Sequence, residues 1–175
     1  MNETSNMRII KLLNPENATE NEVKNYRVRN AARGVVIDES NKIALLHVSK
    51  ENYYKLPGGG IEDKEDHIDA FKRECLEEIG CEVEIIKDLG LIVEYRKIFG
   101  LKQTSYCYLA KLKGSKGSPE FTESETKKGF KEVWLTLEEA KGALEREALS
   151  FEGKAYIVPR DIAILNEVKI VLGLE

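Results

Sequence analysis

GGIEDKEDHIDAFKRECLEEIGC, residues Gly59 to Cys81, joins a glycine turn to an amphipathic helix, around which the rest of the chain is expected to pack. Gly80 is placed to end this helix, and either Asp63 or Asp66 can cap its start. Its apolar residues recur at helical spacing and predict a stripe that faces a core. These residues are Ile68, Phe71, Cys75 and Ile79.

Three glutamates lie together on another side of the same helix. Glu74, Glu77 and Glu78 stand at relative positions 0, +3 and +4, which at about 3.6 residues per turn places their carboxylates side by side. Like charges this close destabilise a helix unless a cation lies among them. The preceding glycines of LPGGG, residues 56–60, let the backbone approach a ligand. Such hard oxygen donors suit Mg²⁺ or Mn²⁺ better than zinc.

The stretch also matches a longer pattern without a gap, GX5EX7REUXEEXGU, in which U is an apolar residue. This pattern resembles the signature of Nudix hydrolases, the Nudix box. Cysteine occupies both U positions, where a buried cysteine behaves as a small hydrophobe. A charged helix with a solvated face is the alternative, but it explains neither Arg73 nor the two framing glycines. The matching positions are Gly59, Glu65, Arg73, Glu74, Cys75, Glu77, Glu78, Gly80 and Cys81.

The resemblance implies an α/β fold, a three-layer α/β/α sandwich around a mixed β-sheet, and metal-dependent hydrolysis of a nucleoside diphosphate linked to another group. The implied ligands of Mg²⁺, or of Mn²⁺, are Glu74, Glu77, Glu78 and the carbonyl of Gly59. Arg73 would orient the carboxylates, with Glu65 as its partner. Glu74 is the first choice for the base that takes the proton from the attacking water.

A second source of the base, or of a further metal ligand, is the loop before Trp134. In some family members an acid in this loop has that role, and Glu120, Glu123 and Glu125 all lie there. Glu125 is the best placed of the three. Solvated loop charge is the alternative account of each of them, and spacing alone does not choose.

Composition limits the classes of function. A chain of 175 residues is long enough for one domain, or one domain with a small extension. A net charge of -4 gives no electrostatic footprint for long nucleic acids. Three cysteines without a C-x-x-C pair predict buried free thiols in a reducing compartment. Without a membrane-length apolar run or a signal peptide, the sequence predicts a cytoplasmic protein.

Residues 1–28 are predicted to form an N-terminal arm and residues 29–175 the Nudix domain. Within the arm, Met7 to Leu13 and Val23 to Val28 are predicted strands joined by a turn. The arm could pack on the domain, pair with a partner chain in a homodimer, or help to close the ligand pocket. A basic cluster is interpreted as a solvated face, with phosphate contact as the alternative. Its members are Lys24, Arg27, Arg29 and Arg33.

The remaining pattern predicts strands mixed with helices, which is typical of an α/β sandwich. A hairpin is expected over residues 31–48, strands over 81–112 and 131–135, and a polar loop over 113–129. Alternation in the strand from Gln103 to Leu112 sends Tyr106 and Tyr108 to one face and Cys107 and Leu109 to the other. Two further helices are predicted, from Leu137 to Leu149 and from Arg160 to Leu172.

The substrate is chosen by residues outside the box. Family members that cleave ADP-ribose usually have a proline shortly after the box, and none occurs here between Cys81 and Pro119. Members that cleave dinucleoside polyphosphates usually have a tyrosine where this chain has Phe99. The leading hypothesis is therefore a nucleoside triphosphate, oxidised or not, cleaved to a monophosphate and pyrophosphate. The alternatives are an ADP-ribose or sugar-nucleotide pyrophosphatase and a non-catalytic ligand-sensing module.

Overall fold

An eight-stranded mixed sheet runs through the middle of the molecule, in a computed structural model that describes residues 7–146 and 148–174. The strands are β1 Ile9–Leu13, β2 Arg27–Ile37, β3 Ile43–Val48, β4 Tyr53–Lys55, β5 Gly58–Gly60, β6 Glu82–Arg96, β7 Leu101–Lys113 and β8 Phe130–Leu135. The order is β1-β6-β7-β2-β3-β4, with β5 paired to β2 and β8 paired to β3. Strand β1 is parallel to β6, and β2 is parallel to β7.

Helices cover both faces of this sheet. They are α1 Glu20–Val23, α2 His67–Ile79, α3 Glu123–Lys127, α4 Leu137–Leu144 and α5 Val158–Val171, with a π-helical turn Gly153–Ile157 before α5 and a 3₁₀ turn Lys97–Phe99 after β6. Helix α2 packs on one face through Phe71, Cys75 and Ile79. Helices α4 and α5 pack on the other face, over a second core. The three-layer α/β/α sandwich is therefore confirmed.

Helix α2 begins and ends as the sequence predicts. The Asp66 carboxylate accepts a hydrogen bond from Ile68 N at 2.8 Å and caps the start. Gly80 ends the helix in the left-handed conformation, with φ of 65°. The alternation predicted for β7 is also present, because Tyr108 packs under α2 while Cys107 and Leu109 face the other core. The three cysteines are buried and free.

Two predicted elements differ from the structure. The prediction of a second strand in the arm, over residues 23–28, is wrong, because Glu20–Val23 is helical and β2 begins only at Arg27. A capping box between Thr19 and Glu22 favours this short helix. Helix α4 ends at Leu144, not at Leu149. Ala148, which fits the helical stripe, packs instead against Val48, Tyr53 and Ile157.

Long polar segments contribute to the fold as well. The predicted loop over residues 113–129 contains α3, and its backbone reaches the end of α2. Gly117 N donates to Gly80 O at 2.9 Å, and Glu120 N donates to Glu77 O at 2.6 Å. These two bonds satisfy carbonyl groups that a helix end leaves free.

In the described part of the chain no helix has the length and apolarity needed to cross a membrane.

Candidate active site

The glycine turn and helix α2 bring the residues of the box together. Strand β5 places Gly59 against the Glu74 carboxylate so closely that a Cβ at Gly59 would lie 2.4 Å from Glu74 Oε1. Its neighbour Gly58 has φ of 150°, and a Cβ there would lie 2.3 Å from the Cβ of Arg33. Glycine is therefore required at Gly58 for both space and backbone conformation. At Gly59 a Cβ would displace the Glu74 carboxylate.

Arg73 lies at the centre of the carboxylates and holds them in place. Its guanidinium binds both oxygens of Glu65, at 2.8 and 3.0 Å, and donates to Gly60 O at 3.0 Å. The same side chain reaches Glu74 Oε1 at 3.1 Å and Glu77 Oε2 at 3.3 Å. The hydrogen bond to Glu65 is the main reason that the pKa of Arg73 is raised. The predicted orienting pair of Arg73 and Glu65 is thus present as a two-pronged ion pair.

Glu78 is the most deeply buried carboxylate of the box, with 1% of its surface exposed. Its Oε1 accepts a hydrogen bond from Gly58 N at 3.0 Å. Its Oε2 lies 3.8 Å from Lys55 Nζ and has no hydrogen-bond partner within the described residues. Burial raises the pKa of Glu78 to about 8, Lys55 opposes this shift, and the neighbouring Glu74 adds to it.

These carboxylates have the donor chemistry for a hard divalent cation. Over residues 7–146 and 148–174 no three His, Cys, Asp or Glu side chains converge closely enough to hold a metal ion as they stand. The guanidinium of Arg73 lies among Glu65, Glu74 and Glu77. The buried Glu78 oxygen without a partner, together with the close approach of Glu74 to Gly59, nonetheless fits a Mg²⁺-type ligand set.

Glu125, the predicted loop acid, is engaged elsewhere. It lies at the third position of α3, where its carboxylate accepts a hydrogen bond from Thr122 N at 2.9 Å and completes a capping box. The loop meets α2 through Glu120, whose backbone N–H donates to Glu77 O. The contacts of Glu125 thus do not connect it to the box, and its catalytic role stays a prediction.

A basic cavity of about 230 Å³ lies beside Gly58 and Gly59, and we call it the arginine cavity. Its cationic lining residues are Arg29, Arg33, Lys55, Arg96, Lys128 and Arg160, and its other lining residues are Tyr53, Gly58, Gly59, Gln103, Phe130, Glu152 and Ile157. The interpretation of Arg33 as part of a solvated face is wrong, because only 3% of its surface is exposed. Its position in the apolar run of β2 was the signal that could have revealed this.

Buried acids hold part of this cavity wall. Glu94 accepts from Arg96 at 2.7 Å and from Gln103 at 2.8 Å. Asp161 accepts from Arg160 Nε at 2.7 Å and from Leu56 N at 2.8 Å. The second of these bonds connects α5 to the residue just before the glycine turn. The cavity and the box therefore share one hydrogen-bonded framework.

The comparisons with known proteins agree with this geometry. A family model described as NUDIX domain matches residues 27–157. A search of curated proteins gave no match.

Three solved structures share the fold. The E. coli ORF135 protein is 18% identical with a TM-score of 0.58, over 84% of this chain and 92% of that one. A NUDIX hydrolase from Nitrosomonas europaea is 15% identical with a TM-score of 0.59, over 84% and 90%. An ADP-ribose pyrophosphatase from Streptococcus suis is 19% identical with a TM-score of 0.52, over 81% and 91%.

The family model covers most of the chain, including the whole box, the arginine cavity's strands and the start of the last helical segment. Within this span the structure has the glycine turn, the box helix and the arginine that holds its carboxylates. The chain therefore belongs to the NUDIX domain family and is a Nudix-type pyrophosphohydrolase.

Proposed function

We propose that the protein hydrolyses a pyrophosphate bond of a nucleoside triphosphate, oxidised or not, and releases a nucleoside monophosphate and pyrophosphate. Water adds to one phosphorus of the scissile bond, the bond to the bridging oxygen breaks, and one proton leaves the water. The observation that carries this proposal is the arrangement around Arg73, which holds Glu65, Glu74 and Glu77 within one cluster beside the buried Glu78.

The side chains of the box would divide the work between them. Glu74, Glu77, Glu78 and the Gly59 carbonyl would hold Mg²⁺ or Mn²⁺, which supplies positive charge to the phosphates and orients the water. Glu74 accepts the proton of that water. Arg73 keeps Glu74 in position and is itself fixed by Glu65. Glu125 is retained as a candidate second base. It lies in α3, in the same segment whose Glu120 contacts α2.

A second candidate is an ADP-ribose or sugar-nucleotide pyrophosphatase. One structure of the same fold, from Streptococcus suis, is named as an ADP-ribose pyrophosphatase, and this favours keeping the class in the test. Both classes need the same box chemistry and differ only in the group that fills the neighbouring cavity.

The test is a panel of substrates assayed with Mg²⁺, with Mn²⁺ and with a chelator. Nucleoside triphosphates, oxidised analogues, ADP-ribose, sugar nucleotides and dinucleoside polyphosphates would be compared by chromatographic separation and quantification of the products. We expect metal-dependent turnover, fastest with a triphosphate. Faster turnover of ADP-ribose would favour the second candidate. No turnover of any substrate, by protein that is shown to bind the metal, would favour the ligand-sensing alternative.

We also propose a homodimer, with β1 at the contact. Strand β1 is the last strand at one end of the sheet order. Two of its apolar side chains are exposed, Ile9 by 57% and Leu12 by 49%. Light scattering during size-exclusion chromatography should give twice the chain mass of 19.8 kDa. A mass equal to one chain at micromolar concentration would contradict the dimer.

A further inference from the structure

The arginine cavity has far more positive charge than its own acids neutralise. Among the described residues that line it, six are cationic and Glu152 is the only acid. The buried Glu94 and Asp161 lie behind the wall and offset part of this charge. An excess of positive charge remains in a concave space, although the whole chain is acidic with a net charge of -4. Such a cleft concentrates anions from solution.

Most of the arginines in this wall already have a partner. Arg160 donates to Asp161 at 2.7 Å, and Arg96 donates to Glu94 at 2.7 Å. Arg96 also pairs with Glu152, and Arg29 donates to the side-chain oxygen of Gln103. These contacts fix the positions of three guanidinium groups around the cavity. Fixed donors bind an anion without losing much conformational entropy at the moment of binding.

Arg33, like Arg29 and unlike Arg96 and Arg160, has only a neutral partner. Its Nε donates to the hydroxyl of Ser105 at 3.0 Å, and no ion pair joins it to a carboxylate within residues 7–146 and 148–174. Burial, and then the nearby Arg160, lower its pKa to about 10, so it still carries its charge at neutral pH. Asp161 and Glu94 oppose this lowering without pairing with Arg33 directly. A buried cation without a directly paired counter-ion is costly. An anion in the cavity would remove that cost.

The position of the arginine cavity beside the box indicates which anion it binds. The cavity is lined by Gly58 and Gly59, and Gly59 lies against Glu74. Neighbouring phosphates of a polyphosphate chain share a bridging oxygen, so one chain can reach both the box and the cavity. A neutral sugar or base in this space would leave the guanidinium groups desolvated and unpaired.

We propose that the arginine cavity binds a third phosphate of the substrate, next to the two phosphates that the scissile bond joins, with Arg33 as a direct donor. This proposal rests on the proposed function. It also narrows the substrate class to nucleotides with three or more phosphates. Substrates in which a neutral sugar follows the pyrophosphate are disfavoured. Arginine suits this role because its planar fork can make two parallel hydrogen bonds to a phosphate.

The first test is a calorimetric titration of the metal-free protein with inorganic pyrophosphate in the presence of a chelator. Without metal the box is acidic and repels phosphate, so binding reports on the cavity. We expect the wild-type protein to bind, and Arg33→Gln to bind about tenfold or more weakly. Arg8→Gln is the matched control, because it removes an exposed guanidinium outside the cavity, and it should bind as wild type.

Two results of this titration would overturn the proposal. One is wild-type protein that does not bind pyrophosphate at millimolar concentration, and this result does not depend on any variant. The other is a folded Arg33→Gln protein, with a wild-type circular dichroism spectrum, that binds as tightly as wild type. If Arg33→Gln does not fold, Arg33→Lys replaces it, and the same comparison applies because lysine keeps the charge but lacks the fork.

The second test compares two substrates with metal present. Arg33→Gln should lower kcat/KM for a nucleoside triphosphate about tenfold more than for ADP-ribose. An equal loss for both substrates would overturn the assignment of a phosphate to the cavity. Absence of turnover with every substrate would instead refute the proposed function, and the titration would still decide whether the cavity binds phosphate.

Discussion

Glu78 combines two properties that conflict in the absence of a cation. Its carboxylate is almost completely buried, and one of its oxygens has no hydrogen-bond partner among the described residues. Burial favours the protonated form, whereas binding a metal ion requires the ionised form. The residue is therefore expected to matter more for activity than for folding.

Replacing Glu78 by Gln should remove nearly all turnover while the fold is retained. Glutamine has the same shape and can still accept from Gly58 N, but it offers a metal ion a neutral oxygen. We expect kcat/KM to fall by more than about 100-fold. Lys72→Gln, an exposed change on the same helix, is the control and should retain wild-type activity. Wild-type turnover by Glu78→Gln with Mg²⁺ would refute the assignment of this ligand.

The same variant should change how stability depends on pH in metal-free protein. The pKa of Glu78 is about 8 in the folded chain and 4.5 for a free side chain, so the folded state holds this proton more tightly. Raising the pH from about 4.5 to 8 therefore favours the unfolded state. Glu78→Gln should lose less stability than wild type between pH 5 and 8, as measured by urea denaturation with a chelator. Equal dependence of the unfolding free energy on pH in the two proteins would contradict this prediction.

At the scale of elements, the agreement of helix α2 with its prediction has a local cause. Asp66 and Gly80 act on backbone groups within one turn of themselves, so neighbouring sequence is enough to identify them. The short helix α1 follows the same rule, since the capping box of Thr19 and Glu22 lies within four consecutive residues of the sequence. The contact between Glu120 and the end of α2 joins distant segments, and no local pattern indicates it.

Replacing Gly80 by Ala should destabilise the end of α2 and the loop that contacts it. Its left-handed conformation alone costs a residue with a Cβ about 1 kcal/mol or more. The added Cβ would also lie 2.6 Å from backbone carbons of Gly117 and Ser118. We expect a lower urea midpoint and faster exchange of the Gly117 and Glu120 amide protons.

Gly142→Ala provides a matched control for this experiment. Gly142 lies inside α4, and nothing lies within 4 Å of a Cβ built there. Alanine favours a helix interior by about 1 kcal/mol over glycine, so this variant should be unchanged or more stable. Equal destabilisation by the two substitutions would show that the end of α2 has no special constraint.

At the scale of the whole molecule, a bound metal ion should stabilise the fold, because only the folded chain brings the box carboxylates together. The gain is about 2.7 kcal/mol when the free metal is at 100 times its Kd. Mg²⁺ or Mn²⁺ should therefore raise the Tm of wild-type protein and raise that of Glu78→Gln much less. NaCl at equal ionic strength is the control. An equal rise in both proteins would contradict the proposed ligand set.

The three-layer sandwich and the box were accessible from the sequence because each depends on periodicity or on fixed spacing. The arginine cavity was not, because its wall comes from strands β2, β4, β5, β6, β7 and β8 and helix α5, most of which are far apart in the chain. Arg33 and Arg160 are 127 positions apart, as their numbers show, yet line one space. The packing of α5 on the sheet brings them together.

This separation of the cavity wall from α2 also bears on how the enzyme could be redesigned. Arg29 and Arg33 lie on β2, whereas the carboxylates of the box lie on α2 and its approach. A combinatorial library at these two arginines would alter the ligand pocket while the hydrolytic helix keeps its sequence. Selection from such a library offers a route to variants that accept substrates with a neutral sugar in place of the third phosphate, with one scaffold serving several substrates.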